Sequence, residues 1–151
     1  AEHALLMPFM GAVLFGTVEF GRLFHDYDVI DKGVRDAARY LARLPANPCS
    51  GGAWTAVSGT AVADTKHLAT HGARSGGTQS LADFADAQVT VTQSCAANAN
   101  GLAGIYGTST TMKLAIVSAS VTHTFILGDY VLPGLPTLTL AVTHREPHIG
   151  E

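Results

Sequence analysis

Apolar residues run almost unbroken from Ala4 to Val18, interrupted by Pro8, Gly11, Gly16 and Thr17. Polarity then rises through Glu19-Phe20-Gly21-Arg22. From Tyr27 to Arg43 the apolar positions thin to a stripe, with Ile30, Val34, Ala37 and Leu41 at helical spacing. Asp28, Asp31, Lys32, Arg35, Asp36 and Arg39 take the other faces. The pattern predicts one helix over residues 3–44, oily in its first half and amphipathic in its second, stopped by Pro45 and Pro48. At 1.5 Å per residue it would be roughly 63 Å long. Only its C-terminal half can then pack on its own domain.

Beyond the Pro/Cys/Gly linker, Ala53 to His71 reads as a second helix, with Trp54, Val57, Ala61 and Leu68 on its apolar face and Gly72 as its C′ residue. Ser80 to Asp83 reads as a capped turn, with Phe84 as a core anchor. Three segments then alternate as strands do: Gln88–Cys95, Met112–Phe125 and Thr137–Arg145. In the second, Val117, Ala119, Val121, His123 and Phe125 share one parity; in the third, Leu138, Leu140 and Val142 do. Antiparallel pairing of the last two is the economical arrangement. The fold class is α+β: a long helix (residues 1–44, divided at 24 into an oily and an amphipathic part) followed by a small head (residues 45–151) with a second helix and about three strands. Two connections are long. Residues 96–111 are rich in Asn, Gly, Ser and Thr, whereas 126–136 are oily, with Tyr130, Val131, Leu132 and Leu135 among Gly and Pro. The oily loop either covers the core or offers an interface to a neighbour.

The first apolar run has no basic region before it and no small-residue cleavage site after it, which sets it apart from a secretory signal. It starts near residue 1, as expected of a chain from which an upstream leader has been removed. Ala4 to Val18 falls short of the ~20 residues of a membrane span. Extension to Phe24 reaches that length but takes in Glu19 and Arg22, which lie three apart and can neutralise each other. An intramembrane carboxylate costs roughly 2.5–3.5 kcal/mol on insertion scales. The span is therefore marginal, as suits a helix that must leave the bilayer. Pro8 removes a backbone donor and predicts a kink. Gly11, Gly16 and Gly21 each cost about 1 kcal/mol against Ala in a helix interior, but let neighbouring backbones approach.

The runs Ala4-Leu5-Leu6-Met7-Pro8, Phe15-Gly16-Thr17-Val18-Glu19-Phe20-Gly21-Arg22 and Arg35-Asp36-Ala37-Ala38-Arg39-Tyr40 resemble the N-terminal signature of TadE-like pilins of the tight-adherence (Tad) pilus. The resemblance is specific over the first 44 residues and one of layout beyond them. It implies a prepilin-type subunit, cleaved by a prepilin peptidase after a glycine, held in the inner membrane with a periplasmic head, and then polymerised with identical copies by the pilus assembly machinery into an extracellular filament. Glu2 departs from the type IV pilin pattern, in which the glutamate lies a few residues further in. Within such a fibre Glu2, Pro8, Gly11, Gly16, Glu19, Phe20, Gly21 and Arg22 form the helix core, with the charged members setting axial register. Glu19→Ala or Arg22→Ala should then lower fibre yield and spare the head. The alternative is a minor or priming pilin, or a single-pass inner-membrane scaffold of a Tad secretion system.

Composition agrees with burial by partners: charged residues make up 14% of the chain and apolar ones 47%, against a usual charged share of about 25%. A net charge of −3 leaves no basic footprint for nucleic acid. Cys49 and Cys95 are either free thiols or a disulfide; in an exported chain the disulfide is expected, and would restrain the unfolded state by ~4 kcal/mol. No nucleophile elbow, P-loop, dinucleotide fingerprint or zinc-type Cys pairing occurs, so neither an enzyme nor a cofactor is expected. Seven histidines are the one enrichment. His67 and His71 lie four apart on a predicted helix with Asp64 one turn earlier, a spacing that metal ligands use but solvated histidines share. Protonating all seven would move the formal charge from −3 to +4, making association pH-sensitive.

Overall fold

The computed structural model describes residues 2–98, 110–126 and 137–149. Helix α1 runs from Glu2 to Ala42 with Pro8 inside it, two residues short of the expected end at its C-terminus. Arg43 and Leu44 close it through bonds to the carbonyls three residues back. Its 41 residues span about 60 Å. The change in sequence pattern at the middle of the helix is a change of surroundings. Ile30, Val34, Ala37, Ala38 and Leu41 have no exposed surface, whereas the large side chains from Leu6 to Phe24 are mostly out in the open.

Strands β1 (Val89–Ala97), β2 (Thr111–Thr124) and β3 (Thr137–Pro147) form an antiparallel meander in the order β1-β2-β3. Val117 of β2 faces Val91 on one side and His144 on the other. One face of the sheet packs on α1. Ala115, Val117, Ala119, Val121 and His123 of β2 point inward, as do Leu140 and Val142 of β3. Leu138 shares that parity but is 42% exposed. The pairing expected of the last two strands is therefore observed.

Helix α2 covers only Ala61–His71, not the 53–71 expected from the sequence. Residues 53–60 instead lie against the linker, through bridges Ala46↔Ala56 and Ser50↔Ala53, while Ala53 also pairs with Ser94. Trp54 decides the matter. Its ring is buried, and its indole N–H donates to the Leu114 carbonyl at 3.0 Å, an anchor that a helix starting at Ala53 would have to give up. β-Branched Thr55 and Val57, followed by Gly59, offer little helical preference in return. The other end matches expectation: Gly72 is left-handed (φ 69°) and its N–H returns to Leu68 O. Phe84 is fully buried, as its anchoring role requires, and Ser80–Asp83 form a turn ahead of a short 3₁₀ turn at Asp86–Gln88.

The linker is tied down covalently. Cys49 and Cys95, 46 positions apart in the chain, form a disulfide, and the Cys95 N–H donates to Gly52 O beside it.

Candidate functional site: the apolar half of the long helix

From Leu6 to Phe24, ten large apolar side chains stand at least half exposed: Leu6, Met7, Phe9, Met10, Val13, Leu14, Phe15, Val18, Phe20 and Phe24. They are spread round the helix rather than confined to a stripe, and such a surface needs lipid or protein on all sides. By length and composition this helix is apolar enough to cross a membrane. Gly11, Gly16 and Gly21 are open: a Cβ added to any of them would meet nothing within 4 Å among the described residues. The stretch is smooth at the same three positions where another backbone would be admitted.

Glu19 breaks the pattern. It is the buried charged residue of this half, 7% exposed, because the chain leaving β2 crosses over it. Its Oε1 accepts the Ile126 N–H at 3.1 Å, and its Oε2 lies 3.5 Å from Arg22 Nη1. The expected Glu19–Arg22 pair is thus present, joined by a long-range partner that no local spacing announces. The side chain of Glu2 and the loop residues Tyr130, Val131, Leu132 and Leu135 lie outside the described residues.

Past Glu19, polar contacts lead the helix into the head. His123 Nδ1–H donates to Asp26 at 2.8 Å, His144 Nε2–H to Asp31 at 2.7 Å and His148 Nε2–H to the Leu44 carbonyl at 2.7 Å. Arg39 lies 3.6 Å from Glu146. The three sheet positions, His123, His144 and Glu146, are on the inward parity, and His148 follows just past the end of β3. The Asp31 carboxyl, beyond the apolar half, is held below its ordinary value mainly by the His144 hydrogen bond, with nearby Arg35 adding to the effect. His123 Nε2 is buried and has no partner among the described residues. A cavity of about 160 Å³ lies beside it, lined in part by Arg22, Asp26, Asp83 and His123.

His67 and His71 do share one face of α2, their rings stacked with centroids 3.9 Å apart. Asp64 does not join them, since its carboxylate accepts the Thr60 hydroxyl at the helix start. The acid that meets them is Asp86, from the 3₁₀ turn. Burial pushes the Asp86 carboxyl up, but hydrogen bonds from Thr70 and His67, with the charge of both histidines, hold it below its ordinary value.

Residues 1–39 match the TadE-like protein family. The chain is TadE-like over its long helix. The TadE-like segment takes in the exposed apolar half and the buried stripe through Ala37, and ends three residues before α1 does. No curated protein and no solved structure matches the chain, so the head rests on its own physical description.

Proposed function

We propose that this chain is a structural pilin subunit that polymerises through the apolar half of α1 into an extracellular filament used for attachment. Residues 1–44 act as the rod and 45–151 as the head it displays. The observation that carries the reading is the ring of exposed apolar side chains from Leu6 to Phe24 on a helix whose remainder buries one stripe against the head. Exposed apolar area is worth ~25 cal/mol per Å² when removed from water, so copies that bury these side chains against one another stabilise a fibre strongly. Lipid of the inner membrane, with the head on the periplasmic side, would cover the same surface before assembly. The Cys49–Cys95 disulfide supports an oxidising compartment for the head.

Cleavage by a prepilin peptidase and handling by the pilus assembly machinery follow from this reading. The role is mechanical rather than catalytic. Microscopy of sheared extracellular material, with mass spectrometry of the same sample, tests it: filaments in which this chain dominates are expected. Filaments holding it only in trace amounts would make it a minor or priming pilin. Retention of the whole population in the membrane fraction would make it a single-pass scaffold.

A further inference from the structure

We propose that His67, His71 and Asp86 form a binding site for a divalent first-row metal ion of the zinc class. The ligand atoms of the three residues lie within 4.8 Å of one another. His67 Nδ1 is 3.4 Å from Asp86 Oδ2, and His71 Nδ1 is 3.9 Å from Asp86 Oδ1. With zinc–nitrogen and zinc–oxygen bonds of about 2.0–2.2 Å, two ligands of a tetrahedral ion sit about 3.3–3.5 Å apart. The His67–Asp86 distance is thus that of a formed site, while His71, 3.9 Å from the other carboxylate oxygen, must move inward to join it.

The hydrogen bonds of His67 point the same way, whereas His71 Nδ1 lies 2.7 Å from Thr70 Oγ1 and must give up its proton and that contact to bind a metal. His67 Nε2 lies 3.0 Å from the Gly76 carbonyl. A carbonyl only accepts, so Nε2 carries a proton. In the neutral ring Nδ1 is then a bare lone pair, and it faces the Asp86 carboxylate. Two electron-rich groups face to face require a cation between them, whether a proton or a metal ion. A ring whose far N–H is held by a backbone carbonyl is the usual setting of a metal-bound histidine. Gly76 and Gly77 adopt φ of +66° and +91°, a conformation that other residues rarely take, and this turn delivers the carbonyl. Thr70 donates its hydroxyl to Asp86 and so orients the third ligand. Imidazole and carboxylate together suit zinc, nickel or copper better than calcium or magnesium. Three protein ligands leave a position open for water or for a donor from another molecule.

Among the described residues the polar contacts of this site stay within residues 66–86, away from the apolar half of α1, so it can be tested separately from polymerisation. The probe is Zn²⁺ added to the full chain in detergent and followed by equilibrium dialysis, with Co²⁺ absorption as a second readout. One saturable ion per chain is expected, with visible Co²⁺ bands typical of tetrahedral nitrogen and oxygen ligation. Asp86→Asn and His71→Gln should each weaken binding by about tenfold or more. His25→Ala, at an exposed histidine elsewhere, should leave it unchanged. Absence of saturable uptake at micromolar zinc overturns the site, as does uptake indifferent to both ligand substitutions. If a variant loses its fold by circular dichroism, the wild-type Co²⁺ spectrum decides instead: octahedral or absent bands refute the proposal.

Discussion

Gly33 shows how one missing methyl group sets the spacing of two helices. A Cβ at this position would lie 2.2 Å from the Ala69 carbonyl oxygen of α2, and that atom is backbone with little room to retreat. Ala is favoured over Gly by about 1 kcal/mol in a helix, whereas overpacking a fitted contact costs about 1–3 kcal/mol. Steric conflict wins. Gly33→Ala should lower stability by up to about 2 kcal/mol in denaturant titrations of the full chain in detergent. Asp31 supplies a second prediction of this kind. Its carboxyl is lowered by His144, and by Arg35 behind it, so the stability it contributes is present above the ordinary Asp value and disappears as pH falls through its lower folded value. Circular dichroism from pH 7 downward should show head stability declining over that acid window. Asp31→Asn should flatten the decline there. An unchanged profile would mean that the His144 contact contributes nothing to folding.

The glycines of α1 behave differently from one half of the element to the other. A Cβ added at Gly11, Gly16 or Gly21 would meet nothing within 4 Å among the described residues, so Ala at any of them should stabilise the helix of the lone chain by about 1 kcal/mol per site. If copies pack through these smooth positions, the same substitutions should reduce filament yield, measured as sheared extracellular material. A helix that becomes more stable while the fibre becomes scarcer separates packing between copies from folding within one.

At this scale the two halves of α1 and the meander were legible in the sequence because their information is local: apolar positions repeat at the period of the element that buries them. The extent of α2 was not, because Trp54 is held by the Leu114 carbonyl 60 positions away, and periodicity carries no trace of such a bond. Asp64 looked like the partner of His67 and His71 for the same reason. It is near in sequence, whereas Asp86 comes to them through the turn that Phe84 anchors. One signal was available and unused. His123 sits on the inward parity of an otherwise apolar strand, and a polar group there needs a partner; that partner is Asp26, 97 positions earlier.

Across the whole molecule, two restraints act in different ways, a covalent one inside the head and a polar one between rod and head. The Cys49–Cys95 bond closes a long loop in the unfolded chain, and on the chain-entropy model its loss removes about 4 kcal/mol of stability. Cys49→Ser with Cys95→Ser should therefore lower the melting temperature of the head sharply and leave the helicity of the apolar half intact. Glu19 is the opposite case. Its carboxylate joins the rod to the chain leaving β2 through the Ile126 N–H, and to Arg22 on its own helix. Ile126 is 70% exposed, so water can take over its N–H, and the exposed Arg22 can be solvated. Glu19→Ala should then cost the head no more than about 1 kcal/mol, while freeing the head to tilt on its rod. In a fibre built on identical copies, loose tilt scatters the register of every neighbour. The expected result is a folded subunit by thermal melt and a marked fall in filament yield. Arg22→Ala, which keeps the bond to Ile126, should lower yield less. Equal losses from both would instead assign register to charge pairing between copies.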